Sequence, residues 1–304
     1  MKVCPGCNCE LQDDSTCRCC GFSAKRIDGF QAFAPNFAAG NSNYPTSSHE
    51  MLFQVENNCF WFSERNKLID WAMKKYFPNA ESVLEIGCGT GYVLNGLFST
   101  HPEIKYTGAD IYTCGLKFAA ERVPQANFIQ MDARHIPFQN EFDIIGAFDM
   151  VEHIEEDQQV FDQIFKAVRY SGGVIITVPQ HPWLWSTTDD YACHKRRYTR
   201  AELREKVAKS GFEVVKMVSF MSLLLPFIII LRARYLFCSM EPIEKIVMTE
   251  LKVHPVLNYV FRFICKIELQ MIRWGFSFIA GGSLLCIAKK RWNHVEQQNH
   301  NSFQ

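Results

Sequence analysis

Three glycines at alternate positions follow a short apolar run, in the segment Val83-Leu84-Glu85-Ile86-Gly87-Cys88-Gly89-Thr90-Gly91. Glycine lets the backbone turn sharply off a strand and lets a ligand approach without a Cβ in the way. In open α/β sheets the ligand crevice lies beyond the carboxyl ends of the strands, which is where this loop would sit. The dinucleotide fingerprint needs a further glycine where this chain has Tyr92, so a nicotinamide or flavin cofactor is disfavoured.

Three further polar groups follow the next β-rich runs of the sequence. Asp110 comes roughly twenty residues after the glycines, where a carboxylate can accept both hydroxyls of a ribose. Asp132 and Ala133 end the next run and suit hydrogen bonding to an adenine amino group, and the segment 149–153 follows the fourth run. Taken singly, a glycine-rich segment can be only a turn, and an aspartate at a strand end is usually a helix cap. Four signals in register on one sheet predict a nucleoside-binding site.

A parallel sheet is needed to bring these residues together, and the chain has the pattern for one. From residue 82 onward, short β-rich runs alternate with helical segments, which is typical of a doubly wound α/β sheet covered on both faces. Amphipathic helices are predicted over 63–77 and 155–169, and a third after the capping box at Thr199, ending at Gly211. Strands are predicted over 83–86, 106–109, 127–130, 142–147, 174–178, 212–218 and 283–288.

Across about residues 60–290 the sequence resembles the class I S-adenosylmethionine (SAM)-dependent methyltransferases, within them a broad bacterial group with small-molecule and envelope-related members. The resemblance is carried by the glycine loop, by the carboxylates above and by four short segments: Phe60-Trp61-Phe62, Arg65-Asn66, 178–185 and 194–199. It implies a seven-stranded Rossmann-like sheet with a reversed final strand. Where the group often has histidine before the Phe-Trp pair, this chain has Cys59.

The same resemblance implies which residues bind SAM. Glu85, Gly87 and Gly89 would line its methionine part, Asp110 its ribose, and Asp132 with Ala133 its adenine. The full set of expected cofactor residues is Glu85, Gly87, Cys88, Gly89, Gly91, Asp110, Ile111, Asp132, Ala133 and Phe148.

Three residues are candidates for catalysis on the acceptor side: Asp149, His181 and His194. The resemblance places Asp149 nearest the transferred methyl group, His181 lies in the loop after the fifth strand, and His194 heads a basic run. Methyl transfer depends mainly on positioning in a water-poor pocket, and a general base is needed only if the acceptor must lose a proton early. His153, at a predicted helix start, is interpreted as structural.

Candidate acceptor-binding residues are cationic or aromatic: Lys195, Arg196, Arg197, Trp183 and Trp185. Three cations beside a histidine suit an anionic acceptor such as a phosphate or carboxylate. The alternative is a solvated basic turn, or arginines that pair with Asp189 and Asp190 to fasten the loop. The tryptophans could stack on a ring or sugar, or pack as part of a lid.

An apolar insertion over 221–280 precedes the last predicted strand. Residues 217–231 are almost wholly apolar but too few to span a bilayer comfortably. From Val256 to Trp274 apolar residues recur on one face of a helix, opposite arginine, lysine and glutamine. Two interpretations stay open: a helical lid packed over the sheet or a dimer partner, and shallow membrane contact through 217–280 that would suit a lipid-linked acceptor.

Six of the thirteen cysteines lie within the first twenty residues. Cys4 and Cys7, with Cys17 and Cys20, form two C-x2-C pairs that can present four thiolates to one Zn²⁺. Iron–sulfur or redox chemistry is the alternative, and Cys9 and Cys19 are surplus. We expect a structural zinc segment over 1–28, a linker over 29–58, the catalytic domain over 59–290 and a polar tail over 291–304.

The charge balance limits the classes of partner. The 32 basic and 32 acidic side chains give no net field to attract a polyanion, so nucleic acid is a disfavoured partner. Clustered cysteines with no signal-like start favour a cytoplasmic protein, either free or peripheral at the inner face of the membrane. Two alternatives to an enzyme acting on small or lipid-linked molecules remain: a zinc-bearing RNA methyltransferase, and a non-catalytic SAM-binding adaptor.

Overall fold

The computed structural model describes residues 1–12, 15–39, 47–237 and 251–291. In chain order the elements are β1 (Lys25–Ile27), β2 (Phe30–Ala32), α1 (Ser47–Val55), α2 (Phe60–Tyr76), β3 (Ser82–Ile86), α3 (Tyr92–Thr100), β4 (Lys105–Asp110), α4 (Thr113–Arg122), β5 (Asn127–Gln130), β6 (Phe142–Phe148), α5 (Asp157–Ala167), β7 (Val168–Pro179), α6 (Thr187–Tyr191), α7 (Arg200–Lys209), β8 (Glu213–Phe220), α8 (Leu225–Phe237), α9 (Pro255–Arg273) and β9 (Ser283–Lys289). Short 3-10 turns lie at Pro35–Phe37, Glu56–Asn58, Val151–His153 and Pro182–Leu184.

The described strands form one sheet in the order β1-β2-β5-β4-β3-β6-β7-β9-β8. The strands from β5 to β7 in this order are parallel, whereas β9 runs antiparallel to both β7 and β8. Strands β3 to β9 therefore make the seven-stranded Rossmann-like sheet with a reversed last strand that the sequence predicts. Because β4 and β6 flank β3 on opposite sides, the chain reverses its direction of winding at β3, and a crevice opens beyond its carboxyl end.

The central strands are mostly apolar because helices cover both faces of the sheet. On one face α5 and α7 contribute Phe161, Ile164 and Leu203 to a core cluster. On the other face, α2, α3, α4 and α9 contribute a second cluster that includes Ile69 and Leu116. The site residues at the strand ends therefore stand on a rigid, fully packed layer.

The amino-terminal segment is built into this sheet. β1 and β2 form an antiparallel hairpin, and β2 pairs in parallel with β5 through Gln31 and Ala32. The Val3 N–H donates to the carbonyl of Pro137 at 3.1 Å, and Phe33 is buried in the same core as the sheet. The linker expected over 29–58 is therefore corrected: β2, α1 and the turn at Glu56–Asn58 belong to the fold, and β2 extends the sheet.

The apolar insertion is helical on both sides of the undescribed stretch 238–250. Glu268 of α9 accepts the backbone N–H groups of Ser222 and Leu223, each at 2.8 Å, which fixes the start of the insertion against α9. At its other end, the side chain of Asn258 accepts the Phe60 N–H at 2.7 Å, so α9 is fastened to the start of α2. No helix in the described ranges is long and apolar enough to cross a membrane. The predicted tail lies outside the described residues apart from Arg291.

Candidate functional site

The glycine loop follows the carboxyl end of β3 and is hydrogen-bonded to the carboxyl end of β4. The N–H groups of Gly87 and Cys88 donate to the carbonyl of Ala109 at 2.8 and 3.0 Å. The Gly89 N–H donates to one carboxylate oxygen of Asp110 at 2.9 Å, and the Tyr112 N–H donates to the other at 2.9 Å. Asp110 is therefore held by backbone donors on both oxygens, and each oxygen keeps a lone pair for a ligand hydroxyl.

Each glycine of the loop adopts a left-handed conformation, but the reasons for glycine differ. At Gly87 an added Cβ would stand 2.2 Å from Cγ of Met150, so a side chain does not fit. At Gly89 nothing lies within 4 Å of such a Cβ, because the loop faces open space there. Gly91 caps the start of α3, where a Cβ would meet Ala119 at 2.9 Å. The loop thus leaves its exposed edge free for a ligand.

This edge borders a cavity of about 590 Å³ at the carboxyl ends of the strands. Nine of the ten expected cofactor residues line it: Glu85, Gly87, Cys88, Gly89, Asp110, Ile111, Asp132, Ala133 and Phe148. Gly91 does not, since it faces α4 instead. The structure therefore brings together in one cavity residues that are far apart in the sequence.

Glu85 is the buried carboxylate of this cavity. Its side chain is 3% exposed, and burial raises its pKa to about 8. Its Oε2 atom has no hydrogen-bond partner among the described residues. An unpaired buried carboxyl group costs free energy unless a ligand or cation completes it. Glu85 therefore points to a bound cationic or hydrogen-bond-donating group at the tip of β3.

Asp132 lies in the same cavity but is already paired. Arg134 donates to its carboxylate, the closest contact being 2.7 Å. Burial opposes the charge of Asp132, but the hydrogen bonds and charge of Arg134 keep its pKa below the ordinary value. One adenine contact expected of Asp132 would therefore compete with Arg134.

A buried network behind the glycine loop escaped the sequence analysis because part of it lies in the supposed linker. Thr90 donates its hydroxyl to Glu56 at 2.7 Å, and Arg122 donates to the same carboxylate at 2.7 Å. Arg122 also donates to the Thr90 carbonyl at 3.1 Å. Glu56 thus connects the segment before α2 to the loop and to α4, and supports the loop from behind.

Asp149 lies in the cavity wall at the end of β6, in a left-handed conformation with φ 52°. Arg65 forms an ion pair with its carboxylate, and the Thr177 hydroxyl donates to it at 3.0 Å. The Arg65 guanidinium also stacks over the Trp61 ring at 4.3 Å. Arg65 lines the cavity as well, and the only sequence signal for it was its place in the segment 60–66 that carries the resemblance.

His194 enters the same cavity from the loop after α6. Its Nδ1 lies 2.9 Å from a carboxylate oxygen of Asp189, and its ring packs against His153 at a centroid distance of 4.7 Å. The Lys195 N–H donates to the Glu152 carbonyl at 2.8 Å, which joins this loop to the end of β6. Lys195 and His153 also line the cavity.

The remaining acceptor-side candidates lie elsewhere. His181 does not line the cavity, because its backbone pairs with Tyr198 and its ring lies against Trp183. Trp183 is 61% exposed, and Trp185 donates its indole N–H to Asp190 at 2.9 Å. These positions do not support a role of His181 in catalysis or of the tryptophans in acceptor binding.

The two arginines of the basic run are also engaged away from the cavity. Arg197 is buried and donates to Asp189 at 2.8 Å, and Arg196 forms an ion pair with Asp157 at 2.8 Å. Neither lines the cavity, so the alternative of loop-fastening arginines describes them better than contact with an anionic acceptor. Of the three cations Lys195, Arg196 and Arg197, Lys195 lines the cavity.

The four cysteines expected to bind zinc converge near the amino terminus. Their sulfur atoms lie within 4.8 Å of one another, with Cys4 and Cys20 separated by 3.5 Å and Cys7 and Cys17 by 3.4 Å. The backbone at Cys4 and at Cys17 makes the same turn, each carbonyl accepting the N–H four residues later at 2.9 and 3.0 Å. Four thiols in this arrangement fit one tetrahedral Zn²⁺.

Comparison with known proteins agrees with the fold and the loop. Residues 83–172 match a family model described as a methyltransferase domain. The trans-aconitate 2-methyltransferase of Variovorax paradoxus is 30% identical over 105 residues, which are 34% of this chain and 40% of that protein. A probable SAM-dependent methyltransferase of Mycolicibacterium smegmatis is 24% identical over 57% of this chain and 67% of its own length. The chain spans about two fifths of the length of this Variovorax paradoxus protein and of a similar Mycobacterium ulcerans methyltransferase.

Among solved structures, the Haemonchus contortus phosphoethanolamine N-methyltransferase 2 in complex with SAM has the same fold. It superposes with a TM-score of 0.55 at 19% identity, over 83% of this chain and 59% of that one. The sheet order, the glycine loop and the family match together define a class I SAM-dependent methyltransferase fold. This chain has the fold of that class, and its residues 83–172 match a methyltransferase domain.

Proposed function

We propose that this chain transfers the methyl group of SAM to a small-molecule or lipid- or glycan-linked acceptor with an anionic part. The observation that carries the proposal is one cavity lined both by the glycine loop, Asp110 and Glu85 and by Asp149, His194 and Lys195. A cofactor half and an acceptor half joined in one cavity are what a transfer reaction requires.

The residues present fit SAM. The sulfonium of SAM supplies an activated methyl group when it is bound. Glu85 would accept the methionine ammonium group, since its carboxyl group is buried and its Oε2 atom has no hydrogen-bond partner among the described residues. Asp110 would accept the ribose hydroxyls with its remaining lone pairs, and the open edge at Gly89 admits the ligand backbone.

The acceptor half would bind and orient the nucleophile. Lys195 offers a cation to an anionic acceptor at the mouth of the cavity. Arg65 holds Asp149, so this carboxylate is fixed in position rather than free to rotate. The aromatic and apolar wall, which includes Trp61, Phe148 and Met150, would keep water away from the transfer.

The test of the proposal is binding and turnover with the full chain. Calorimetric titration with SAM and S-adenosylhomocysteine should give one site per chain, and transfer of labelled methyl to small anionic acceptors or lipid extracts should follow. Absence of SAM binding at millimolar concentration would end every enzyme interpretation. SAM binding with salt-dependent RNA affinity would favour the RNA methyltransferase, and SAM binding without turnover on any acceptor class would favour the adaptor.

Binding of SAM should release a proton from Glu85 at neutral pH. The raised pKa of about 8 means that Glu85 is mostly protonated at pH 7, while a bound ammonium group favours its ionised form. Affinity should therefore rise between pH 6 and 8 by up to about tenfold per pH unit, and level off above. Calorimetry at pH 7 in two buffers of different ionisation enthalpy measures the release. Glu85→Gln should bind weakly without proton release, and a wild type that releases none would contradict the prediction.

We also propose that Cys4, Cys7, Cys17 and Cys20 hold one structural Zn²⁺. A metal would supply much of the folding energy of so short a segment, whose buried Cys4 and Cys17 join the core of the sheet. Native mass spectrometry should find zinc on the chain, with one equivalent that depends on these cysteines. The double variant C4S/C17S should lose it with a lower Tm, whereas Cys114→Ser, at the start of α4, should keep it. Equal zinc content in both variants would refute the assignment.

Membrane contact is proposed for the outer face of α9. Val256, Val260, Phe263, Ile267 and Trp274 follow one another on this face and are all exposed, Trp274 at 73%. Together with exposed residues of α8, they form an apolar surface unusual for a face in water. It would bring the cavity to a lipid-linked acceptor.

Vesicle flotation checks this contact. Wild-type protein should float with anionic phosphatidylserine vesicles, and the variant F263S/I267S should float several-fold less. Both side chains are exposed, so stability should change little. Val215→Ser, an exposed apolar residue on β8, is the matched control and should float as the wild type does. Equal flotation of F263S/I267S would contradict the contact.

A further inference from the structure

Three potential metal ligands meet beside the cavity, which two of them, His153 and His194, line. Glu152 and His153 lie in the short turn after β6, and His194 lies in the loop after α6. The carboxylate and imidazole atoms of the three residues all lie within 4.8 Å of one another. The backbone bond from Lys195 to the Glu152 carbonyl holds the two segments together. The cluster is therefore a fixed part of the fold.

Glu152 is the unusual member of this cluster. It is fully buried, and neither of its carboxylate oxygens has a hydrogen-bond partner among the described residues. The nearest cationic groups, Arg65 and Arg197, are already paired with Asp149 and Asp189. A buried carboxyl group without a hydrogen-bond partner costs free energy, so its presence indicates a cation bound beside it.

A carboxylate outside the cluster orients one of its two histidines. Asp189 accepts from Nδ1 of His194 at 2.9 Å, which leaves Nε2 toward Glu152 at 3.9 Å. A carboxylate that holds one ring nitrogen and directs the other is the usual support of a metal-bound histidine. His153 lines the cavity beside it, and the two imidazole rings pack edge to face at a centroid distance of 4.7 Å.

From this geometry we infer that Glu152, His153 and His194 bind one divalent transition-metal cation. Two imidazoles and one carboxylate suit Mn²⁺, Fe²⁺, Co²⁺ or Zn²⁺ better than Mg²⁺ or Ca²⁺. Three protein ligands do not complete the coordination of such an ion, and His153 and His194 line the cavity. The assignment of an acceptor class rests on the proposed methyl transfer. In that reaction an oxygen of the acceptor would complete the coordination of the metal. The acceptor class is then one with a hydroxyl, carboxylate or phosphate oxygen next to the methylated atom.

Manganese is the probe for the test, because it prefers oxygen and imidazole ligands to the thiolates of the cysteine segment. The full chain is titrated with Mn²⁺, and the loss of the free-ion electron paramagnetic resonance signal is measured. We expect one Mn²⁺ per chain. The variants Glu152→Gln and His194→Asn should each weaken binding by about 100-fold. Glutamine keeps the volume of the buried side chain and adds no charge, so the first variant should fold.

The matched control is His101→Asn, which removes an imidazole that also pairs with an aspartate, Asp70, but lies outside the cavity. It should bind Mn²⁺ as the wild type does. No binding by the wild type at millimolar Mn²⁺, or equal binding by Glu152→Gln, would overturn the inference. SAM affinity is measured by calorimetry on the same samples. Its absence would refute the proposed function while leaving the Mn²⁺ result intact.

Discussion

Replacing Asp110 by alanine should weaken SAM binding by about 100-fold, or about 3 kcal/mol, since two charge-assisted hydrogen bonds to the ribose would be lost. Asp110 also accepts the N–H groups of Gly89 and Tyr112. Its removal therefore loosens the loop that must stay in place for the cofactor. Because ground-state binding and positioning fail together, both SAM affinity and methyl transfer should fall.

Calorimetric titration with S-adenosylhomocysteine measures the effect, and circular dichroism checks the fold. Asp70→Ala is the control, since this carboxylate pairs with Lys74 and His101 at the far side of α2 and does not line the cavity. It should leave affinity unchanged. An Asp110→Ala protein that is folded and binds within a few-fold of the wild type would show that Asp110 does not hold the ribose.

The central fold was predictable because its signals are local. The strand predicted over 127–130 is β5 (Asn127–Gln130), and the seven strands of the Rossmann-like sheet were all expected. Boundaries were less accurate: the helix expected over 155–169 ends at Ala167, and β7 starts at Val168 without a loop. Val168 can be buried in either element, so periodicity alone does not place the boundary.

The amino-terminal hairpin could not be predicted from periodicity. β1 and β2 have three residues each, too few to show alternation, and β2 is fixed by pairing with β5 about a hundred residues later. The glycine and asparagine content of 29–58 favoured a linker instead. Tertiary pairing decided the structure there.

The two halves of the site also differ in how well the sequence predicts them. The cofactor residues follow directly from strand ends, so their convergence was predictable, whereas the acceptor half depends on contacts between distant segments. Arg65 reaches Asp149 from α2, and His194 meets Glu152 only because the loop after α6 folds back. His181 had the right position in sequence, but its backbone pairing with Tyr198 directs it away from the cavity.

Asp189 is the residue on which that returning loop depends. It is 1% exposed, and it accepts from His194, from Arg197 and from the backbone N–H of Ser186. Burial alone would raise its pKa, but the bonds from His194 and Arg197 lower it to about 2. A carboxylate with a lowered pKa stabilises the folded state above its ordinary pKa of 3.8, and this contribution is lost as the pH falls toward 2.

Asp189→Asn should therefore lower the free energy of unfolding by about 3 to 5 kcal/mol at pH 7, because it leaves the buried Arg197 guanidinium without a counter-charge. The neighbouring Asp190→Asn is the matched control. Asp190 is exposed and its carboxylate accepts only the indole N–H of Trp185 among the described contacts, so the change should stay within about 0.5 kcal/mol.

Urea denaturation followed by tryptophan fluorescence measures both variants. The difference between the wild type and Asp189→Asn should be full at pH 7 and should shrink from about pH 4 downward, as Asp189 becomes protonated in the unfolded and then in the folded chain. A difference that does not change between pH 5 and 2.5 would mean that packing, and not the charge of Asp189, holds the loop that carries His194 and Lys195. The ion pair with Arg197 would then have no part in shaping the acceptor half of the cavity.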